Sequence, residues 1–127
     1  MIFGGLLRHM RMELTGDEQR PRRTFVPIQP GVEVCVLRRH SGPGLTYLLR
    51  ISERGISPIH GHPGGEEVYL LEGRLRIWNR TDPDGRPAND VVISAGEYFH
   101  APPGETHGAV AEQAALLFVV APGGLGP

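Results

Sequence analysis

From residue 30 onward, short apolar runs alternate with turn-forming segments. Runs rich in β-branched, aromatic and other apolar residues predict strands at 32–37, 45–51, 67–71, 75–78, 90–93 and 116–121. The breaks between them carry Gly, Pro, Asp and Ser, as in Ser41-Gly42-Pro43-Gly44 and Asp82-Pro83-Asp84-Gly85. Because parallel strands need crossover connections, usually helices, and no helical period separates these runs, the pattern predicts an all-β fold of antiparallel strands. The turn at Glu72-Gly73 is predicted to end one strand before the next begins.

The same pattern divides the chain into one domain and two flanking segments. Residues 1–29 mix charges, prolines and isolated apolar positions without a period, which predicts a flexible N-terminal arm. Residues 30–121 form the domain, and 122–127 are predicted to be a loose Gly/Pro tail. The last run, 116–121, is apolar throughout and is expected to be central in a sheet or buried on both faces.

Composition and charge narrow the class of protein. Among 127 residues, 18 Gly and 12 Pro argue against long helices. Lys and Arg number 13 against 14 Asp and Glu, so no broad positive field attracts nucleic acid or an anionic membrane. The opening apolar residues are too few for a membrane helix and lack the pattern of a signal peptide, and Cys35 is the only cysteine. We therefore expect a cytoplasmic protein without nucleic-acid or membrane partners.

His60 and His62 form the first candidate for chemistry. Side chains at i and i+2 of a strand project to the same face, so this pair can present two imidazoles to one ion, with Glu66 arriving after a Pro-Gly-Gly turn. A lone His-x-His is a weak signal, and incidental or surface polar residues are its more frequent explanation. The surrounding sequence decides between the two interpretations.

That sequence resembles the two motifs of the cupin family. Residues 55–66, followed by six residues and Gly73, resemble the first motif; Gly96, five residues, Pro102-Pro103-Gly104, two residues and His107 resemble the second. The chain has one residue fewer than usual between Gly55 and His60, and Ala111 stands where the second motif often has Asn. Both departures lie outside the ligand positions.

The resemblance implies a jelly-roll β-barrel and a metal site whose ligands are His60, His62, Glu66 and His107. Three imidazole nitrogens and a carboxylate suit one divalent transition metal ion, such as iron, manganese, nickel, copper or zinc, without selecting among them. In a six-coordinate site, four protein ligands leave two positions for a substrate or oxygen.

The segments 62–73 and 101–107 look most like the ChrR-like cupins, a subgroup that contains domains of zinc-dependent anti-sigma factors and stand-alone dioxygenases. An anti-sigma factor needs an upstream helical zinc domain, and residues 1–29 contain only His9 and no Cys, so we expect the chain not to have that function. The preferred interpretation is a dioxygenase acting on a diketone or a hydroxyaryl ketone. The alternatives are a metal-dependent sensor or carrier of a small ligand, and a sugar isomerase or epimerase.

Other residues are assigned by their position relative to the motifs. The motif spacing favours Glu66 over Glu67 as the ligand and as a catalytic carboxylate, with Glu67 at the rim. Tyr98 and His100 share one face of a strand and are candidates for an acid/base or orienting role, against the alternative of packed or surface residues. Arg50 and Arg76 are expected to point outward.

The remaining expectations concern partners. Val68, Leu70, Tyr98 and Phe118 are expected to line an apolar pocket for a small-molecule ligand or substrate. Apolar strands and the N-terminal arm predict a homodimer, because an arm can cover a sheet edge of a neighbouring subunit.

Overall fold

The structure, a computed structural model, describes residues 24–125, which form nine β-strands and no helix. The strands are β1 (Val26–Gln29), β2 (Val32–Arg39), β3 (Leu45–Ile51), β4 (Ile56–Gly61), β5 (Glu66–Thr81), β6 (Pro87–Ala88), β7 (Val91–Ser94), β8 (Tyr98–Ala101) and β9 (Thr106–Ala121). Every strand pairing is antiparallel, which confirms the predicted class. Over the described range, no helix has the length and apolar character needed to span a membrane.

β9 occupies the centre of the sheet. The main path of hydrogen-bonded neighbours runs β1-β2-β3-β9-β5-β6, while β4 also pairs with β9, and β7 and β8 pair with β5. The predicted central position of residues 116–121 is confirmed, but the strand is much longer, with 16 residues, and begins at Thr106. His107 therefore lies in the first half of β9, whereas the sequence assigned this residue to a motif and not to a strand.

β5 is one continuous strand where the sequence predicted two. Its 16 residues run through Glu72-Gly73, so the predicted turn there is wrong. Gly73 has φ +88°, and a Cβ at this position would overlap the carbonyl group of Ala114 on β9. The glycine is thus required where the two longest strands approach closely, and not for a reversal of the chain.

Alternating residues of β2, β3, β5 and β9 form the hydrophobic core. The largest fully buried side chains are Ile51, Leu70, Leu75, Ile77, Val34, Val119 and Cys35. Each large aliphatic side chain withdrawn from water contributes about 1.5–3 kcal/mol to stability. The apolar run in β9 alternates between buried and partly exposed residues, so only one face of this strand is fully covered.

The flanking segments differ in part from the expectation. β1 (Val26–Gln29) lies within the predicted arm and pairs with β2, while the rest of the arm, 1–23, lies outside the described residues. In the tail, Leu125 packs against the hydrophobic core, and 126–127 are not described.

Candidate metal centre

His60 and His107 lie directly opposite each other on neighbouring strands. β4 and β9 pair antiparallel with His60 in register with His107, so the two side chains project from the same face of the sheet. β4 ends at Gly61, and the chain then reverses through a turn in which the Gly65 N–H donates to the His62 carbonyl at 3.0 Å. Glu66 begins β5 directly after this turn. The pairing of β4 with β9 and the turn before β5 thus bring all four predicted ligands close together.

The Glu66 carboxylate lies at the centre of the three imidazoles. Oε1 of Glu66 is 2.7 Å from Nε2 of His107 and 3.9 Å from Nε2 of His60, and Oε2 is 3.1 Å from Nε2 of His62. The ring centroid of His60 lies 5.0 Å from that of His62 and 5.0 Å from that of His107, both in edge-to-face orientation. All three Nε2 atoms therefore converge on one carboxylate, and we call these four residues, His60, His62, Glu66 and His107, the cluster.

Hydrogen bonds on the opposite ring nitrogen orient two of these imidazoles. Nδ1 of His60 is 2.8 Å from the Pro58 carbonyl oxygen, and Nδ1 of His107 is 3.0 Å from Oε2 of Glu105. Because a carbonyl oxygen can only accept, Nδ1 of His60 carries the proton and its Nε2 lone pair faces the cluster. This tautomer is the one that binds a metal through Nε2.

Burial and mutual charge set the protonation of the cluster. Burial lowers the pKa of His60 to about 4, so this imidazole is neutral at physiological pH. Burial opposes the charge of Glu66, which is 5% exposed, but hydrogen bonds from His107 and His62 outweigh it and lower the pKa of Glu66. For His107, burial by itself lowers the pKa, but hydrogen bonds to Glu66 and Glu105 outweigh burial and raise the pKa.

The donor set fits a metal ion. Ligand atoms of His60, His62 and Glu66 all lie within 4.8 Å of one another, and neutral imidazole with carboxylate is the combination that borderline divalent ions prefer. These three residues form a group that can bind a metal ion, and their chemistry does not select one metal.

A cavity lined mainly by apolar side chains opens beside the cluster. It is narrow: about 30 Å³ is open to the centre of a water molecule, and the 480 Å³ free of protein atoms includes solvent at its mouth. The polar residues that line it are Tyr47, Ser57, His60, Glu66 and His107; the apolar ones are Leu49, Ile51, Val68, Leu75, Ile77, Phe99, Ala109, Leu117 and Val119. No Arg or Lys of the described chain is among them, so outside the histidine cluster the cavity presents no cation to a ligand.

Tyr98 and His100 are not brought to this cavity. β8 alternates exposed and buried positions, and both residues lie on the exposed side, with Tyr98 55% exposed. The Tyr98 hydroxyl donates to Glu67 Oε1 at 2.7 Å, on the face of β5 opposite Glu66. Between them, Phe99 is buried, lines the cavity and packs edge-on against His107, with ring centroids 5.7 Å apart. We therefore leave Tyr98 and His100 out of the proposed site.

The four residues predicted to line an apolar pocket likewise lie on different faces of the sheet. Val68 lines the cavity, Leu70 is fully buried in the core beside it, and Phe118 lies with Tyr98 on the other face of the sheet. Arg50 and Arg76 point outward as expected: Arg50 stacks on Phe25 and pairs with Glu33, and Arg76 pairs with Glu112 and Asp90.

Sequence reasoning missed Glu105, which contacts the cluster, and Arg80, which contacts Glu105. Glu105 is 3% exposed and contacts His107, and both its oxygens accept hydrogen bonds from Arg80 at 3.1 and 3.2 Å. Glu105 lies two residues before His107, and a carboxylate inside the second motif was the available signal. Nothing in the sequence distinguishes Arg80 from the other polar residues that lie near the ends of strands.

The fold and this site define a cupin with a candidate metal centre. Residues 19–123 match the family of the ChrR Cupin-like domain, and the chain belongs to that family. No curated protein matches the chain.

Solved structures with the same fold are only distantly related in sequence. An RmlC-like cupin from Shewanella frigidimarina NCIMB 400 aligns with a TM-score of 0.67 and 22% identity over 80% of this chain and 85% of that one. A chain of the Rhodobacter sphaeroides SigE complex with the anti-sigma ChrR aligns at 0.62 and 23% identity, over 76% of this chain and 47% of that one. A single-residue variant of the oxalate decarboxylase of Bacillus subtilis aligns at 0.62 and 23%, over 73% of this chain and 26% of that one. These likenesses support the fold.

Proposed function

We propose that this protein is a metal-dependent dioxygenase that acts on a small diketone or hydroxyaryl ketone. His60, His62, Glu66 and His107 would hold one divalent transition metal ion. When bound, such an ion supplies Lewis acidity toward paired substrate oxygens and open positions for oxygen chemistry. In the overall reaction, O₂ is the oxidant, one C–C bond of the ketone breaks, and both oxygen atoms end in the products.

The observation that carries the proposal is the apolar cavity beside a cluster of oxygen and nitrogen donors. The cavity walls are mostly aliphatic and aromatic, Ser57 and Tyr47 add neutral hydroxyls, and among the described residues the only charged groups lining it belong to the cluster. A ketone with an alkyl or aryl body would place its oxygens at the donors and, where the narrow cavity widens to admit it, bury its body against Val68, Phe99 and Leu117. A sugar would leave many hydroxyls unpaired on these walls, at a cost of about 1–3 kcal/mol for each one.

The chain's own residues bind, orient and exclude water. The Pro58 carbonyl and Glu105 orient His60 and His107, and Phe99 covers the edge of the His107 ring. Glu66 contributes the one negative charge of the proposed ligand set, which partly neutralises a divalent ion. The oxalate decarboxylase among the structural neighbours has, by its name, a dicarboxylate substrate; because no Arg or Lys of the described chain lines this cavity, only the proposed metal site would balance a negative charge, which favours a less charged ligand.

Oxygen uptake tests the proposal. Protein purified without added metal is analysed for bound metal, loaded with iron(II) under anaerobic conditions, and mixed with oxygenated buffer and a panel of β-diketones and hydroxyacetophenones. We expect oxygen consumption that requires substrate and iron together. If no ketone gives uptake while sugars or metabolites raise the melting temperature, the dioxygenase is contradicted and a ligand-binding module takes its place.

We also propose that the sheet closes as a jelly-roll barrel and that the protein is a homodimer. Strands on both sides of the cavity contribute to its lining, which supports closure. Tyr69, Leu71 and Tyr98 are large and exposed on the outer face, which supports association through that face. A crystal structure tests the first point, and sedimentation at the mass of one subunit would contradict the second.

A further inference from the structure

We infer that Arg80 and Glu105 are positioning residues for the metal site: Arg80 holds the Glu105 carboxylate, and Glu105 holds His107 with its Nε2 toward the cluster. The inference rests on the proposed metal site and extends it to two residues outside the ligand set.

A bulge in β5 lies directly opposite His107. In the pairing of β5 with β9, Trp78 is in register with Gly108 and Thr81 with Thr106. Two residues of β5, Asn79 and Arg80, therefore face the single residue His107 of β9. Asn79 has φ +51°, in the left-handed region that Asn tolerates better than most residues. Such a bulge changes the alternation of side chains along a strand.

The changed alternation gives Arg80 a different environment from the arginines before it. Arg74 and Arg76 lie two residues apart on β5, and both donate to Glu112 at the surface. Arg80 has the same parity, yet its guanidinium reaches the buried Glu105 and lies 5.3 Å from the centroid of the Phe99 ring. The bulge thus redirects one arginine of a surface series toward the metal centre.

Arg80 uses its whole guanidinium in fixed contacts. Its Nε donates to Glu105 Oε2 at 3.2 Å, one terminal nitrogen donates to Oε1 at 3.1 Å, and the other donates to the Asn89 carbonyl at 2.7 Å. Two parallel bonds from a guanidinium hold a carboxylate in one plane and at one angle. The bond to Asn89 anchors the same guanidinium to the connection between β6 and β7.

The carboxylate so held determines which nitrogen of His107 faces the cluster. Glu105 Oε2 lies 3.0 Å from Nδ1 of His107, and an ionised carboxylate can only accept. Nδ1 therefore carries a proton, and Nε2 is directed at Glu66. A ligand imidazole that donates to a carboxylate is fixed in orientation and is a stronger electron donor to a metal. Loss of such a contact lowers metal affinity by about 10- to 100-fold.

The test compares cobalt(II) binding by four variants of the full chain. We expect Glu105→Ala to raise the cobalt(II) Kd by ~10- to 100-fold, and Glu105→Gln to restore much of the loss because its amide oxygen still accepts from Nδ1. Arg80→Met should weaken binding to a smaller extent, since Glu105 then keeps its bond to His107 but loses its fixed angle. Arg76→Met is the matched control: it removes an arginine of the same strand and parity, and its cobalt(II) Kd should equal that of the wild type. Circular dichroism without metal verifies folding, and Arg80→Lys, which keeps the charge but not the fork, replaces Arg80→Met if that variant does not fold.

Nitrogen-15 NMR of the zinc(II)-loaded protein provides a readout that a purely structural role would not change. The Nδ1–H signal of His107 should be present in the wild type and in Arg76→Met, and lost to exchange with water in Glu105→Ala. Cobalt(II) affinities of Glu105→Ala and Arg80→Met within twofold of Arg76→Met, or metal bound through Nδ1 of His107, would overturn the inference alone. A wild type that binds neither cobalt(II) nor zinc(II) would overturn the proposed metal site, and the inference with it.

Discussion

Nε2 of His107 lies 2.7 Å from Oε1 of Glu66, a contact that joins the second sequence motif to the first. The two residues come from β9 and β5, the strands that run through the middle of the sheet. Because β9 also pairs with β4 in the register that places His60 opposite His107, one strand aligns both halves of the candidate site. The site therefore depends on strand register as much as on the identity of its residues.

Removal of single imidazoles should separate ligands from neighbours. We expect His62→Ala and His107→Ala each to lose most of the bound metal while the strands stay folded, because apolar burial and not the site holds the sheet together. His100→Ala, on the outer face of β8, should keep its metal. Elemental analysis after dialysis, with circular dichroism as the test of folding, measures both. Full occupancy in His107→Ala, or equal loss in His100→Ala, would show that the ligand set is misassigned.

The charge of Glu66 should affect turnover more than substrate binding. Glu66→Gln keeps the shape of the side chain but removes the one anionic ligand, which raises the net charge of the site. We expect kcat for oxygen uptake to fall by about tenfold or more, with a smaller change in KM. Steady-state kinetics of protein with equal iron content measures the two constants separately. A selective rise in KM would contradict the role given to this carboxylate.

A substitution can fill the cavity beside the cluster and leave the proposed metal ligands unchanged. Ala109 lines it, and Ala109→Leu should weaken ketone binding by about tenfold or more, at a cost of about 1–3 kcal/mol in stability from overpacking. Ala114→Leu is the matched control, because Ala114 is exposed on the same strand. Metal content should be unchanged in both. Equal ketone affinity in the two variants would place the substrate elsewhere.

Adjacent leucines of β5 should differ widely in their contribution to stability. Leu70 is 0% exposed and Leu71 is 40% exposed on the opposite face. We expect Leu70→Ala to lower the free energy of unfolding by about 2–5 kcal/mol, because it leaves a cavity in the core. Leu71→Ala should change it by less than about 1 kcal/mol. Urea denaturation of the metal-free protein compares them, and similar midpoints would contradict the assignment of faces.

Substitution of two glycines with similar backbone angles should lower the stability of the protein by different amounts. Gly73 (φ +88°) and Gly85 (φ +83°) are both left-handed, but only Gly73 has no space for a Cβ, against Ala114. Gly85→Ala should cost about 1–2 kcal/mol from backbone strain alone. Gly73→Ala should cost clearly more or prevent folding, since β5 and β9 must move apart. Thermal unfolding measures the difference, and equal costs would show that the close approach of the strands is not required.

Local sequence was enough to predict the strand class, although not every strand, and the composition of the site. The period of apolar positions and the turn residues predicted antiparallel strands, and the resemblance to the two cupin motifs implied the four residues that the structure brings together, His60, His62, Glu66 and His107. These features depend on residues close in the chain, or on a motif order that is visible directly.

Strand faces and lengths were not predictable in the same way. Alternation correctly placed Tyr98 and His100 on one face of β8, but a period of two residues does not say which face is turned inward. The packing of Phe99 against His107 decides that point. Likewise, Glu72-Gly73 resembles a turn until β9 is seen to lie against it.

The sequence by itself determined the strand class of this protein through its local pattern, and its four candidate metal ligands through the resemblance of two short stretches to the cupin motifs. Only the tertiary structure decided that Arg80 contacts Glu105, the carboxylate that in turn contacts His107. Its approach to Glu105 requires two residues of β5 to lie opposite one residue of β9. Such a register shift is a property of two paired strands, and neither strand's own sequence contains it.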